Sequence, residues 1–222
     1  MPPKSKRQQT ASLRHEHEFY AQGCRFIFGM DEVGRGSLAG PVTVGAVCLP
    51  VTQPDIRTVL KGVRDSKEMT SRQRVKLVDE IKAAALAHGV GSATNQEIDD
   101  VGIVPATKLA MKRAIAAAIA ASKIEPDCLF LDSLLWPEMK QIPQVSMIDG
   151  DHRSLSIAAA SVVAKVWRDA LMIELDPQYP DYGFALHKGY GTPAHLAAIK
   201  SFGASDLHRQ TFAPMRTHDD NE

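Results

Sequence analysis

Four carboxylates stand where a fold could put them to chemical use. Asp31 and Glu32 are adjacent in GMDEVGRGSLAG (29–40), Asp132 closes the apolar run CLFLD, and Asp151 lies just before a long helix-forming stretch. Strand ends and helix starts are the rigid rim on which α/β folds place functional groups. Taken singly, Asp132 has an ordinary reading as the start of a turn and Asp151 as a helix cap. Taken together, the four would repel one another and raise their own pKa values unless a cation neutralised them. All-oxygen donors suit Mg²⁺ or Mn²⁺, and the eight histidines show no H-x-x-x-H or Cys/His spacing that argues for zinc.

Neighbouring strand residues point to opposite faces, so Asp31 and Glu32 cannot both reach one ion from a regular strand. Either the strand ends there, or Glu32 serves a second position in a two-ion site with metals ~3.5–4 Å apart. The glycines that follow invite comparison with a dinucleotide cradle. That comparison fails: Gly34, Gly36 and Gly40 are spaced G-x-G-x-x-x-G, not G-x-G-x-x-G, and lead through Pro41 into another strand-like run instead of a helix. What remains is a loop whose bare backbone can approach a ligand closely, with Arg35 available for a phosphate or a stacked base. The loop is therefore expected to hold a sugar-phosphate, with metal ions supplying the positive charge.

The elements that must position these residues follow from periodicity. CRFIFGMDEV and GPVTVGAVCLP read as strands joined by GRGSLA, a hairpin-like opening. TSRQRVKLVDEIKAAALAHG reads as a helix, with Thr70 and Gln73 at capping-box spacing and Gly89 just past its end. A short strand is expected around VGSATN, a helix over VPATKLAMKRAIAAAIAAS with Pro105 near its start, and strands at DCLFLD and QVSMI. SLSIAAASVVAKVWRDALMIEL is predicted as a long helix whose small residues permit close backbone packing, and PAHLAAIKSF as a short terminal helix. The order β, β, α, β, α, β, β, α, α implies an α/β or α+β domain with a mixed sheet.

The bulk properties narrow the class. With 222 residues, the chain can bury one main core. Its 26 basic and 26 acidic residues balance, so nucleic-acid binding must come from local patches. Three widely spaced cysteines without a C-x-x-C pair suggest neither disulfides nor a thiolate zinc site, and fit a reducing, cytoplasmic setting. No apolar run is long enough to span a bilayer, and the polar, basic opening residues carry no secretory signal. Residues 1–20 are expected to be a poorly ordered basic tail, 21–176 the catalytic domain, 177–215 a C-terminal helical extension, and 216–222 a flexible tail.

Six stretches, GMDEVGRGSLAGPV, RDSKEMT, LFLDS, GDHRSLSIAAASVVAKVWRD, YGFALHKGYGT and HRQTFAP, resemble in order the successive motifs of the ribonuclease HII family (type 2 ribonuclease H) in its bacterial single-chain form, over roughly residues 26 to 215. The resemblance implies a ribonuclease H-like fold with a central mixed sheet, flanking helices and a C-terminal helical extension. It also implies metal-dependent endonucleolytic hydrolysis of RNA in RNA-DNA hybrids and of duplex DNA carrying embedded ribonucleotides. Such an activity would remove misincorporated ribonucleotides and RNA primers, and a monomer is the default expectation.

On this resemblance Asp31, Glu32, Asp132 and Asp151 fall on the metal-binding catalytic acids, whereas Asp149 in the same IDGD stretch does not. Gly34, Arg35 and Gly36 fall on the ribose-sensing loop, and Tyr190 on a tyrosine that packs near the scissile nucleotide. A glycine backbone can read a 2′-hydroxyl without an intervening side chain, and that hydroxyl is what separates RNA from DNA. Ser66, Lys67, Lys165, Arg168, His187, Lys188 and Arg209 are candidate contacts to the nucleic-acid backbone, although Lys165 and Arg168 have an alternative reading as lining of a structural helix face. The sequence departs from the family pattern at Ser37, where the loop most often has proline, and a looser loop is expected. Two rival classes, a non-catalytic hybrid-binding module and a different metal phosphodiesterase, are disfavoured by the four acids and by the ribose-sensing loop respectively.

Overall fold

The computed structural model describes residues 10–216; the predicted flexible ends at 1–9 and 217–222 lie outside the described residues. Five strands, β1 (Ile27–Val33), β2 (Val42–Cys48), β3 (Ala87–Ala93), β4 (Cys128–Asp132) and β5 (Gln144–Met147), form one sheet in the order β3-β2-β1-β4-β5. The β1-β2 and β2-β3 pairs are antiparallel, while β1-β4 and β4-β5 are parallel, so the sheet is mixed as the element order implied.

Strand alternation separates two cores. On one face Phe28, Met30, Val44, Ala46 and Leu131 pack beneath the helix α5 (Ile103–Ser122), together with its Ala110, Ala114 and Ala118. On the other, Val47 joins Val78, Ile81, Ala159 and Val163 from the helices α3 (Ser71–Ala84) and α7 (Leu155–Leu175). The strand glycines permit this closeness: a Cβ at Gly45 would overlap the backbone of Ala160, and one at Gly89 the backbone of Ala114.

The helices, in chain order, are α1 (Arg14–Ala21), α2 (Ile56–Val59), α3 (Ser71–Ala84), α4 (Asn95–Val101), α5 (Ile103–Ser122), α6 (Gly150–Arg153), α7 (Leu155–Leu175), α8 (Phe184–His187) and α9 (Pro193–Phe202). The capping box expected at Thr70 and Gln73 is formed. Gly89, expected to terminate α3, instead lies inside β3; α3 stops at Ala84, and Ala85 turns extended. A second capping box, Thr94 with Glu97, opens α4, an element absent from the periodicity reading because it is only seven residues long.

The largest departure is at the N-terminus, where residues 10–20 are not a disordered tail. Helix α1 lies against the start of α7: Glu16 is fully buried, and its Oε1 accepts from Ser154 Oγ (2.7 Å) and Ser156 N (3.0 Å). A carboxylate at a helix N-terminus satisfies orphan N–H groups and the local dipole. Phe19 adds an edge-on contact with Phe130 at 5.1 Å. One buried acid and the adjacent Phe19 and Tyr20 in a polar octapeptide leave almost no hydrophobic period to read. No helix among the described residues is long and apolar enough to cross a membrane.

Candidate active site

Parallel register brings the first two acids together. The paired residues of β1 and β4 run from Ile27–Cys128 to Met30–Leu131, and one step further lie Asp31 and Asp132, at the C-terminal ends of adjacent strands and on the face turned to α7. The third acid arrives through the connection from β5: Asp149 adopts a left-handed conformation (φ 53°), and Gly150 N donates to Asp132 Oδ1 at 2.9 Å. Asp151, in the single turn of α6, thereby faces the two strand ends. One carboxylate oxygen from each of Asp31, Asp132 and Asp151 lies within 4.8 Å of the others.

The electrostatic cost of this trio is visible. Burial, then the charges of Glu32, Asp132 and Asp151, raise the Asp31 carboxyl well above its usual range, with Lys67 opposing. Burial, then Asp65 and Asp132, push Asp151 up to about 6. Buried carboxyls that destabilise one another in this way form a hard, all-oxygen donor set suited to a divalent cation such as Mg²⁺ or Mn²⁺. The residues present therefore fit the expected ion.

Glu32 stands apart from the trio, as strand alternation requires. Its Oε1 pairs with Arg35 Nη1 at 3.2 Å, and burial raises its carboxyl despite that pairing. Asp65, which the sequence reading does not include, sits beside Asp151 and, with His152, forms a second group of potential ligands around it. The one local signal for Asp65 was its place in RDSKEMT, next to Ser66 and Lys67.

A groove of about 510 Å³ extends from Asp31 and Glu32 along the Gly34–Gly36 loop to Ser66, Lys67, Arg74, Lys165 and Tyr190. Lys67 has its ammonium pKa raised because the nearby Asp65, Asp31, Asp151 and Asp132 outweigh the lowering by burial. Lys165 Nζ lies 5.5 Å from the centroid of the Tyr190 ring and bonds Asp169 at 2.8 Å. The structure thus brings Gly34, Arg35, Gly36, Ser66, Lys67, Lys165 and Tyr190 to one groove beside the acids.

The remaining predicted nucleic-acid contacts are placed differently. Arg168 and Arg209 are fully buried, with their guanidinium groups spent on backbone carbonyls, so neither can touch a ligand in the groove. His187 stacks on His195 with ring centroids 4.2 Å apart, and its Nε2 bonds the Tyr182 carbonyl. Lys188 Nζ donates to the Ala185 carbonyl. These four hold the loop and the α8 region together; a basic residue in a motif cannot reveal from the sequence whether its charge faces water or carbonyls. Ser37, where a looser loop was expected, is also fully buried, and its Oγ has no hydrogen-bond partner among the described residues.

Comparison with known proteins adds a family to this geometry. A family model described as Ribonuclease HII matches residues 28–215. Ribonuclease HII of Desulfitobacterium hafniense (strain DSM 10664 / DCB-2) is 48% identical over 206 residues, covering 93% of this chain and 75% of the relative. Among solved structures, the PCNA:RNase HII complex from Archaeoglobus fulgidus matches with a TM-score of 0.67 at 25% identity, over 88% of this chain and 100% of the matched one. Bst-RNase HIII, solved in complex with Mn²⁺, shares the fold with a TM-score of 0.65 at 19% identity, over 97% of this chain and 74% of that one.

Proposed function

The chain belongs to the ribonuclease HII family and is a ribonuclease H, a hydrolase with the ribonuclease H-like fold; from that premise we propose that it cuts the RNA strand of RNA-DNA hybrids and, in duplex DNA, the phosphodiester on the 5′ side of an embedded ribonucleotide. The observation that carries this reading is the meeting of three carboxylates, Asp31 and Asp151 buried and Asp132 half-buried, beside a groove that Asp31 shares with the glycine loop and Tyr190.

Asp31, Asp132 and Asp151 are assigned to hold Mg²⁺ or Mn²⁺, with Glu32, on the opposite side of the strand end, serving a second position. When bound, such a cation offsets the clustered carboxylates and the negative charge that develops at a phosphoryl group during in-line displacement. The Gly150 N–H fixes the Asp132 carboxylate, so the donor set is preorganised. Gly34, Arg35 and Gly36 present backbone and guanidinium to the sugar-phosphate, and Tyr190 offers a flat face beside the nucleotide. Lys67, Lys165 and Ser66 line the same groove and are assigned to flanking phosphates. The products would carry 5′-phosphate and 3′-hydroxyl ends, which suits removal of misincorporated ribonucleotides and of RNA primers in the cytoplasm, by a protein acting as a monomer.

The test is cleavage of end-labelled duplex DNA carrying one ribonucleotide, with Mg²⁺, Mn²⁺ or chelator, beside an all-DNA duplex. Metal-dependent cutting only on the 5′ side of the ribonucleotide is expected. Binding without cleavage, or equal cutting of the all-DNA duplex, would overturn the proposal.

A further inference from the structure

Two buried arginines converge on the back of the glycine loop. Arg209 donates from Nε to the Gly40 carbonyl (3.0 Å), from Nη1 to Arg35 (2.8 Å) and from Nη2 to Gly34 (2.7 Å) and Gly40 (2.9 Å). Arg168 donates from Nε to Pro41 (2.8 Å), from Nη2 to Ala39 (3.1 Å) and from Nη1 to Lys188 (2.9 Å). Both are fully buried, and neither has a carboxylate partner among the described residues.

Burying a charge without a counter-charge is costly, and ordinary loop anchoring does not require it. A guanidinium offers five donors in a rigid, wide fork, which lets a single side chain bind carbonyls spread around a tight loop. The accounting of the loop is one-sided. Its carbonyls at positions 34, 35, 39, 40 and 41 all point inward to the two arginines, whereas the N–H groups of Gly34, Arg35 and Gly36 make no hydrogen bond among the described residues. Gly34 also needs its glycine: at φ 87° a Cβ there would run into the Arg168 side chain. Arg168 touches the other wall of the groove as well, with its guanidinium carbon 5.6 Å from the Tyr190 ring centroid.

We propose that Arg168 and Arg209 are positioning residues for ribose recognition: they draw the loop carbonyls inward, leave the 34–36 N–H groups to the groove, and lock the loop at a set distance from Tyr190. This inference rests on the reading of the groove given above. The two positive charges also lie beneath a surface expected to meet an anionic backbone, which lowers the cost of bringing phosphate there.

The test compares wild type with Arg209→Lys and Arg209→Ala. Lysine keeps the charge but cannot span three carbonyls, so Arg209→Lys should lower kcat/KM on the single-ribonucleotide duplex at least tenfold, chiefly through KM. The hydrogen-bonded amides of Ser37, Leu38 and Gly40 should exchange hydrogen at least tenfold faster, while those of β1 and β4 keep their protection. Low-millimolar guanidinium should restore part of the Arg209→Ala activity and leave Arg209→Lys unchanged. Wild-type kinetics and wild-type exchange in Arg209→Lys would overturn the proposal; so would a loss of protection spread evenly over the whole sheet. If the wild type does not cut the ribonucleotide substrate, the functional reading fails, and loop exchange still decides this one.

Discussion

Replacing Asp151 by Asn should make the metal-free protein more stable at pH 8 while abolishing its ability to gain stability from a divalent cation. Asp151 is 4% exposed, and burial together with Asp65 and Asp132 raises its carboxyl from 3.8 to about 6. A folded-state pKa above the unfolded value means that the folded state binds the proton more tightly. The stability this supplies is complete below about 3.8 and is lost as pH rises through about 6. A displacement of that size corresponds to about 3 kcal/mol. Asn is neutral at every pH and keeps an amide that can donate to Asp65, so it escapes the loss. The variant and the wild type should therefore melt together near pH 4 and separate above pH 6, by roughly 5–10 °C for a chain of this size. Circular-dichroism melts in chelator from pH 4.5 to 8 measure the separation, and repeating them with Mn²⁺ should raise the wild type and close the gap. A difference that does not change with pH, or a variant less stable than wild type at pH 8 in chelator, would refute the electrostatic account of the trio.

Asp132→Asn should leave the far-ultraviolet spectrum intact and reduce kcat on a ribonucleotide-containing duplex by about a hundredfold or more, as loss of a preorganised electrostatic group does; near-wild-type turnover would remove Asp132 from the site. Gly45→Ala should cost about 3 kcal/mol in urea denaturation, because the new methyl meets the Ala160 backbone rather than a side chain that can turn away. His208 is fully buried, its Nε2 is 3.0 Å from His195 Nε2, and its pKa is lowered from 6.5 to about 4 by burial and then by His195. The depressed value means that stability present above about 6.5 declines as pH falls toward 4, by about 3 kcal/mol, and then levels off. His208→Gln should flatten that decline in melts between pH 4 and 7, most clearly in the presence of Mn²⁺, where the opposing carboxylate effect is offset.

Apolar periodicity, the capping box at Thr70 and Gln73 and the run of small residues mark the strands, α3, α5 and α7 within the sequence itself, because those signals depend on neighbours a few positions away. The same local chemistry pointed to an all-oxygen metal site, and the spacing of Gly34, Gly36 and Gly40 excluded a dinucleotide cradle. Helix α1 escaped such a reading because what orders it, Glu16 meeting Ser154 and Ser156, joins segments 138 and 140 residues apart. Which acids converge was likewise decided by tertiary structure. Parallel register sets Asp31 beside Asp132, a left-handed turn at Asp149 delivers Asp151, and strand alternation turns Glu32 away. The fate of the basic residues was decided there too: Lys67 and Lys165 line the groove, while Arg168 and Arg209 are buried by carbonyls distant in the chain. A sequence carries the charge of a side chain, but whether that charge meets water, a ligand or a ring of carbonyls depends on contacts that form only when remote segments pack.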